Sequence, residues 1–243
     1  MKTVLITGAS RGIGSAIAKR LSLENYNLVL NYNNSEKSAL SLRDEIRITN
    51  KNCIAIKADV SKLEEVQNMY SEIEKTFGSV DILINNAGIS FTGQFQDTSP
   101  DIWNKILNTN VTGMYNTIYT VLPKMLSNHE GVILNFSSIW GSHGASCEVA
   151  YSTSKGAVES LTKSLAVELA PSNIRVNAIS PGTVNTDMMK SYSADDMKII
   201  CNEIPMQRIS QPEEIAELVC FLISYKNSYM TGQIICADGG MCV

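Results

Sequence analysis

The amino-acid sequence predicts an α/β protein, a single doubly wound domain built around a parallel sheet of about seven strands. Short apolar runs alternate along the chain with segments of about 12 to 20 residues whose apolar positions recur at helical spacing. Because this alternation requires right-handed crossovers, it favours a parallel sheet that helices cover on both faces. No linker, internal repeat or low-complexity tract interrupts the sequence, so we expect one domain over residues 1–243.

The predicted strands are short runs rich in valine, isoleucine and leucine, most of them followed by polar or turn-forming residues. In chain order they cover residues 4–7, 28–32, 53–57, 80–84, 132–136, 174–179 and 233–236. The first predicted helix follows residue 12, and the others cover 35–49, 62–77, a long region from residue 99, 151–169 and 212–223. Ser99 suits a helix cap and Pro100 suits a first turn, so the long helical region is expected to begin there.

The composition is that of an ordinary globular chain, with 44% hydrophobic residues, 18% charged residues and a formal net charge of −4. A chain without a basic block is not expected to bind nucleic acid. Residues 1–3 lead directly into the first strand and no apolar run reaches membrane-spanning length, so we expect a cytoplasmic protein without a membrane partner. The six cysteines are scattered and are predicted to be free thiols. With only two histidines in the chain, a Cys/His metal site is not expected.

A glycine-rich turn follows the first strand, with Gly8, Gly12 and Gly14 in the spacing Gly-x3-Gly-x-Gly. In a strand–turn–helix context, the first glycine permits a tight turn, the second lets backbone approach a pyrophosphate, and the third permits close helix packing. The helix N-terminus then offers free N–H groups to phosphates. A purely structural turn is the alternative, but the position at the first strand–helix junction favours phosphate binding in a Rossmann-like domain.

Other unusual segments fall where predicted strands end. They cover residues 59–60, 85–88, 137–138 and 180–182, in addition to the glycine turn at 8–14. Because ligands of open parallel sheets bind at the carboxyl ends of the strands, we expect all five segments to face one crevice.

Tyr151 and Lys155 stand at positions i and i+4 of a predicted helix and therefore project from one face. Ser138 lies thirteen residues upstream, directly after a predicted strand. A lysine charge about 4 Å from a phenol contributes roughly 4 kcal/mol at an effective dielectric of about 20. That energy would lower the tyrosine pKa from about 10 by up to about three units, which makes Tyr151 a usable acid or base. The pair alone is weak, since nine tyrosines and fourteen lysines can produce it by chance.

Five motifs together resemble those of the short-chain dehydrogenase/reductase family, and the resemblance extends along the whole chain. They are Thr7-Gly8-x3-Gly12-x-Gly14, Asn85-Asn86-Ala87-Gly88, Asn108-Thr109-Asn110-Val111, Ser138 with Tyr151-x-x-x-Lys155, and Pro181-Gly182-Thr183-Val184-Asn185-Thr186. The resemblance implies a nicotinamide-dependent oxidoreductase. Its glycine-rich cofactor half would cover about residues 1–90, and its catalytic and substrate half about 91–243.

The resemblance also implies roles for individual residues. Tyr151 would give a proton to the substrate carbonyl oxygen and Ser138 would hold that oxygen. Lys155 would bind the nicotinamide ribose and lower the tyrosine pKa, and Asn110 would hold a water that restores the proton. For Asn110 taken alone, an amide bonded to backbone inside a helix is the simpler interpretation. The predicted cofactor-binding residues are Gly8, Ser10, Arg11, Gly12, Ile13, Gly14, Asn31, Asp59, Val60, Asn86, Ala87, Gly88, Tyr151, Lys155, Pro181, Gly182, Val184 and Thr186.

The cofactor is predicted to be NADPH (NADP+). NAD-dependent enzymes of this fold place an acidic residue after the second strand, whereas residues 31–34 here read Asn-Tyr-Asn-Asn. Arg11 lies in the glycine turn, where the family resemblance puts a guanidinium beside a 2′-phosphate.

Within the family, the chain most resembles the 3-oxoacyl-[acyl-carrier-protein] reductases, including the closing Asp238-Gly239-Gly240-Met241. It departs from them at two surface positions where arginines would meet an acidic carrier, since His129 and Ser172 occupy these places. Lys124, Lys163 and Arg175 could compensate.

The loop between Ser138 and Tyr151 supports an alternative. The amino-acid sequence of this loop resembles that of reductases that act on a 5-aminopentanone attached to elongation factor P. Glu148 could pair with the ammonium of such a substrate, or it could be a solvated loop residue. Trp140 and Met188 are further candidate substrate contacts, and residues 187–204 are predicted to form a mobile lid. Remaining expectations are a non-catalytic NADP-binding regulator as a remote alternative and, from the resemblance, a homotetramer.

Overall fold

A computed structural model describes residues 1–187, 189 and 192–242 of the chain. Within these residues, seven parallel strands form one sheet in the order β3-β2-β1-β4-β5-β6-β7. The strands are β1 Lys2–Ile6, β2 Tyr26–Tyr32, β3 Cys53–Lys57, β4 Ile82–Asn85, β5 Gly131–Phe136, β6 Ile174–Pro181 and β7 Ile234–Ala237. The predicted doubly wound domain is confirmed, and each predicted strand lies within two residues of its observed bounds.

Helices cover both faces of the sheet. They are α1 Gly12–Leu21, α2 Glu36–Arg47, α3 Leu63–Phe77, α4 Pro100–Leu107, α5 Gly113–Asn128, α6 Ile139–Ser142, α7 Val149–Leu169, α8 Ala194–Glu203 and α9 Pro212–Ile223. Helices α1, α2 and α9 pack in one buried cluster with residues such as Ile17, Ile46 and Val219. Helices α3, α5 and α7 pack in a second cluster on the other face. No helix in the described part of the chain is both long and apolar enough to span a bilayer.

The long helical region from residue 99 is interrupted. Ser99 caps α4 as predicted, because its Oγ accepts a hydrogen bond from the Ile102 N–H at 3.3 Å. A π-helical turn at Asn108–Thr112 then separates α4 from α5. Such turns are rare and frequently lie at functional sites. Here the turn contains Asn110.

A buried ladder of polar side chains fixes β4, β5, α5 and α7 relative to one another. Asn85 Nδ2 donates to Asn135 Oδ1 at 3.1 Å, and Asn135 Nδ2 donates to Thr162 Oγ1 at 2.9 Å. The Thr117 hydroxyl donates to Asn85 Oδ1 at 2.7 Å. Because a buried amide is costly without partners, this ladder specifies how the two helices that approach the crevice sit on the sheet.

Candidate active site

The crevice at the carboxyl ends of the central strands is closed by hydrogen bonds between β1 and β4. Thr7 Oγ1 accepts from the backbone N–H groups of Asn86 and Ala87, both at 3.0 Å. The Asn86 amide donates to the carbonyls of Thr7 and Gly8 at 3.0 and 3.1 Å. The segment 85–88 is therefore held directly against the start of the glycine turn.

The three glycines of that turn stand close to neighbouring atoms, and at two of them a side chain would collide. Gly8 has φ +63°, and a Cβ there would lie 2.9 Å from Ala87 Cα. A Cβ at Gly14 would lie 2.4 Å from the Gly8 carbonyl oxygen. Gly12 has φ +55°, and a Cβ would lie 3.3 Å from Thr186 Cγ2. A side chain at Gly8 or Gly14 would therefore collide with backbone, and one at Gly12 would press on the Thr186 side chain.

The residues at the start of α1 fit the phosphates of a dinucleotide. The helix has no side-chain cap and no acidic residue in its first turn, so its first N–H groups are open to an anion. A cleft of about 440 Å³ adjoins this turn, and its lining includes Gly12, Ser15, Thr186 and Met189. Arg11, at the N-cap position, is exposed at the same edge.

On the β2–β3 side of the crevice, Asn31 is buried and its amide bonds backbone. Its Oδ1 accepts from the Gly8 N–H at 3.4 Å, and its Nδ2 donates to the Ala58 carbonyl at 3.0 Å. Asp59 follows β3. Burial disfavours its charge, but hydrogen bonds from Ser61 and Asn33 outweigh that effect and lower the pKa of the carboxyl. A carboxylate therefore stands at this edge at neutral pH.

Two further predicted cofactor residues, Gly182 and Val184, lie in the segment that follows β6. Gly182 donates its N–H to the Ala237 carbonyl at 3.0 Å, and a Cβ there would lie 2.7 Å from Asp238 Cα. Val184 is buried and forms an isolated parallel bridge with Ser210. The segment after β6 is thus held between the C-terminal turn and the start of α9.

Ser138, Tyr151 and Lys155 come together at the end of β5. Ser138 caps α6, where its Oγ accepts from the Trp140 N–H at 3.3 Å, and its side chain also hydrogen-bonds to the Tyr151 phenol. Lys155 Nζ lies 5.5 Å from the centre of the Tyr151 ring. A Cβ at Gly88 would be 3.6 Å from Lys155 Nζ, so the segment after β4 borders the same point. The predicted convergence of hydroxyl, phenol and ammonium is present.

The expected lowering of the tyrosine pKa is wrong for this structure. Burial raises the pKa of Tyr151 to about 12, the hydrogen bond with Ser138 opposes that rise, and the charge of Glu148 adds to it. Lys155 is not among the causes of this shift; its ammonium lies 5.5 Å from the ring centre and donates to the Phe136 carbonyl at 2.7 Å. Burial also lowers the pKa of Lys155 itself to about 8.

Asn110 lies in the π-helical turn and is buried. Its Oδ1 accepts from the Ile89 N–H at 2.8 Å, and its Nδ2 donates to the Ile89 carbonyl and to Ser154 Oγ, both at 2.9 Å. The amide thus joins the segment after β4 to α7, one residue before Lys155.

The comparisons with known proteins agree with this geometry. Residues 8–242 match a family model described as enoyl-(acyl carrier protein) reductase. The chain belongs to the short-chain dehydrogenase/reductase family. It is 40% identical to a 3-oxoacyl-[acyl-carrier-protein] reductase of Staphylococcus epidermidis over 99% of this chain and 98% of the relative. It is 41% identical both to an uncharacterized oxidoreductase of Bacillus subtilis, over 98% of each chain, and to the oxidoreductase UcpA of Salmonella typhimurium, over 98% of this chain and 94% of the relative.

Membership of the short-chain dehydrogenase/reductase family makes the protein an oxidoreductase that acts on CH–OH or C=O groups with a nicotinamide cofactor. The glycine turn and the open start of α1 fit the phosphates of that cofactor. Gly88, Asn110 and Lys155 lie together on the other side of the crevice.

Two of the predicted substrate contacts lie on the loop between Ser138 and Tyr151. Trp140 is half-buried in α6. Glu148 is half-buried at the start of α7, and its carboxylate accepts from Thr92 Oγ1 at 3.4 Å. Burial raises the pKa of Glu148, and that hydrogen bond opposes the rise. The third predicted contact, Met188, lies outside the described residues, as does part of the predicted lid, in which α8 is described.

Sequence reasoning missed several contacts of this site. The Phe136 carbonyl could not be identified because any residue offers one. Ser154 and Ile89 are unremarkable in sequence and matter only because the π-helical turn brings Asn110 to them. Glu159 was also missed, although its position four residues after Lys155 and eight after Tyr151 places it on the same helix face.

Proposed function

We propose that the protein reduces a ketone to a secondary alcohol with NADPH, and that Tyr151 supplies the proton. The observation that supports this most directly is the meeting of Ser138, Tyr151 and Lys155 at the end of β5. When bound, the nicotinamide supplies the hydride. The substrate we favour is a 3-oxoacyl thioester carried by acyl carrier protein, as in the name of the Staphylococcus relative.

Each residue then has a distinct task. Tyr151 stays protonated at neutral pH because burial raises its pKa, and it gives that proton to the developing alkoxide. Ser138 holds the carbonyl oxygen with its hydroxyl. Lys155 binds the ribose hydroxyls with the ammonium that now donates to the Phe136 carbonyl. Asn110 fixes the segment after β4 against α7 and holds the water that restores the proton to the tyrosine.

The test measures NADPH oxidation with an acetoacetyl thioester. Tyr151→Phe should lower kcat by at least about a hundred-fold, since general acid catalysis contributes about 10² to 10⁴. Tyr229→Phe is the matched control, because Tyr229 is fully exposed and its substitution should leave kcat unchanged. Unchanged activity of Tyr151→Phe would overturn the proposal. No oxidation by the wild type with any ketone would instead favour the NADP-binding regulator.

The preference for NADPH over NADH is proposed from Arg11 and from residues 31–34, which carry no carboxylate. Arg11 is exposed at the N-cap of α1 and can reach a 2′-phosphate at the crevice edge. Arg11→Gln should reduce the ratio of kcat/KM for NADPH to that for NADH by at least about ten-fold, because a hydrogen bond to a charged group contributes about 1.5 to 3 kcal/mol. Lys226→Gln, an exposed control, should leave the ratio unchanged. Equal wild-type efficiency with both cofactors would contradict the preference.

The surface that would meet an acidic carrier is sparsely basic. Arg175 is not free for this task, because its guanidinium donates to the Leu222 and Ser224 carbonyls at 3.0 and 3.4 Å. Lys124 and Lys163 are exposed on α5 and α7 and remain the candidates. We expect Lys124→Glu combined with Lys163→Glu to raise KM for the carrier-bound substrate without changing KM for a small thioester.

Glu148 favours a second candidate, reduction of an aminoketone such as the 5-aminopentanone modification on elongation factor P. Glu148 is half-buried, and its charge raises the pKa of the Tyr151 phenol. Its carboxylate has no ion-pair partner among the described residues. A substrate ammonium would supply the missing charge, whereas a fatty acyl chain would not.

The two substrates can be separated by one variant. Glu148→Gln should lower kcat/KM for the aminoketone-modified factor and spare the acetoacetyl thioester, with Glu168→Gln as an exposed control on the same helix. An equal effect on both substrates would remove Glu148 from substrate choice.

We further propose a cytoplasmic homotetramer. The six cysteines are all free thiols, which suits a reducing compartment. Tyr115 and Tyr119 stack on each other on the outer face of α5 while about half exposed, and Val167 on α7 is 80% exposed. Assembly through these two helices would bury all three side chains. Light scattering of wild type and Tyr119→Glu would test it, with dissociation expected in the variant.

A further inference from the structure

Three consecutive residues at the end of β5 each contact one face of α7. The Phe136 carbonyl accepts from Lys155 Nζ at 2.7 Å, and the Ser138 side chain hydrogen-bonds to the Tyr151 phenol. Between them, Ser137 Oγ donates to Glu159 Oε1 at 3.0 Å. The contact of Ser137 involves the carboxylate of Glu159, which the proposed reaction does not use.

This carboxylate is inside the protein. Glu159 is 8% exposed and Ser137 is 3% exposed. A Cβ at Gly141 would lie 2.8 Å from Glu159 Oε1 and 2.6 Å from Ser137 Oγ, so α6 closes over the pair. A Cβ at Gly156 would lie 3.1 Å from the Gly141 carbonyl oxygen, which shows how closely α6 and α7 approach. A carboxylate in such a place needs hydrogen bonds, and the Ser137 hydroxyl supplies one.

The Ser137 hydroxyl has a single proton and three acceptors within reach. Glu159 Oε1 lies at 3.0 Å, the Lys155 carbonyl at 3.3 Å and the Ser138 carbonyl at 3.4 Å. The carboxylate is the nearest and strongest acceptor, so it determines the direction of the hydroxyl. Without it, the proton turns to one of the two carbonyls, and one of these belongs to Ser138.

We propose that Glu159 is a positioning residue: through Ser137 it fixes the end of β5, and it thereby aims the Ser138 hydroxyl at the Tyr151 phenol. The proposal rests on the proposed function, in which that phenol is the proton donor. It assigns a role to a buried pair, Ser137 and Glu159, that has no task in the proposed reaction. Its effect on the reaction comes from geometry alone, since a displacement of about 1 Å in a catalytic constellation can cost about a hundred-fold in rate.

Two substitutions of equal length separate the hydrogen bond from packing. Glu159→Gln keeps an oxygen that can accept from Ser137, whereas Glu159→Met keeps the length of the chain and loses the acceptor. We expect Glu159→Met to lower kcat for ketone reduction by about ten-fold with KM for NADPH within about two-fold, and Glu159→Gln to stay within about two-fold of wild type. Glu168→Gln, exposed on the same helix, should be unchanged.

Ser137→Ala tests the other end of the bond by removing one oxygen atom. It should lower kcat as Glu159→Met does, and the double variant should be no slower than either single variant, because both remove one interaction. If Glu159→Met does not fold, Ser137→Ala alone decides. An unchanged kcat in Ser137→Ala, an equal loss in Glu159→Gln and Glu159→Met, or additive losses in the double variant would overturn the proposal. Tyr151→Phe, measured in parallel, separates the two ideas: if it retains activity, the proposed function fails, and if only the Ser137 and Glu159 variants retain activity, the positioning role fails.

Discussion

Replacing Lys155 with methionine should abolish turnover and make the protein without cofactor more stable. Lys155 is 4% exposed, and burial lowers its pKa from 10.5 to about 8. A shift of this size corresponds to roughly 3 kcal/mol of unfolding free energy lost by keeping the ammonium charged at pH 7. Methionine has a similar length and no charge, so the substitution removes this cost.

A second effect opposes the first. The Phe136 carbonyl loses the ammonium donor that lies 2.7 Å away, and a buried carbonyl left without a partner costs about 1 to 3 kcal/mol. The charge effect is at least as large, so we expect a net gain of up to about 2 kcal/mol at pH 7. For a chain of this size that gain raises Tm by up to about 8 °C.

The pH dependence gives the sign of the charge effect independently. Below pH 8 the folded and unfolded states both carry a charged lysine, so the full cost of burial is present. Between pH 8 and pH 10.5 the folded state has lost the proton and the unfolded state still holds it, so the stability of the wild type rises with pH. The advantage of Lys155→Met should therefore shrink across that window.

Thermal unfolding followed by circular dichroism at pH 7 and pH 10 measures both quantities. Lys163→Met is the matched control, because Lys163 is exposed on the same helix and should change Tm little at either pH. A lower Tm for Lys155→Met at pH 7, or an advantage that grows with pH, would refute the reasoning from burial.

Two further substitutions and the pH dependence of the rate test the glycine turn, the buried polar ladder and Tyr151. Gly14→Ala should destabilise the protein by about 1 to 3 kcal/mol and weaken cofactor binding, because the new Cβ would lie 2.4 Å from the Gly8 carbonyl oxygen and the backbone would have to move. Chemical denaturation measures the loss of stability, and unchanged stability would contradict the prediction. Thr162→Val should lower the free energy of unfolding by about 1 to 3 kcal/mol, since it leaves Asn135 Nδ2 without its acceptor at 2.9 Å. Thr153→Val, at an exposed position of α7, should lower it by less than about 0.5 kcal/mol in the same assay. Because the pKa of Tyr151 is raised to about 12, deprotonation of this phenol should not slow ketone reduction at any pH well below 12, whereas the rate of alcohol oxidation should rise with pH. A rate of reduction that halves near pH 7 through deprotonation of Tyr151 would show that this pKa is wrong.

The sequence was sufficient for the sheet and for which segments meet. Strands of a parallel sheet place their carboxyl ends at one edge, so knowing that residues 8–14, 85–88 and 137–138 follow strands was enough to bring them together. The helical spacing of Tyr151 and Lys155 likewise placed both side chains toward that edge. These features depend on periodicity and topology, which a sequence displays directly.

The energetic features of the site depend on depth and on backbone partners, which the sequence does not display. The sign of the Tyr151 pKa shift was predicted wrongly because burial of the phenol is the largest effect and the charge of Glu148 adds to it. The π-helical turn at Asn108–Thr112 has no periodic signal, since the amino-acid pattern around it is that of a continuous helix. Glu159 resembles a solvated helix residue until Gly141 closes over it.

The two perturbed groups of the site also bear on the proton transfer of the proposed reaction. Burial raises the pKa of Tyr151 and lowers the pKa of Lys155, so the fold disfavours the ionised form of each. A phenol that holds its proton is an acid and not a base, and giving a proton to an alkoxide is the step that ketone reduction requires. Oxidation of an alcohol would need the phenolate, which burial and the neighbouring charge of Glu148 both oppose. The surroundings of Tyr151 therefore keep on the phenol the proton that the proposed reduction consumes.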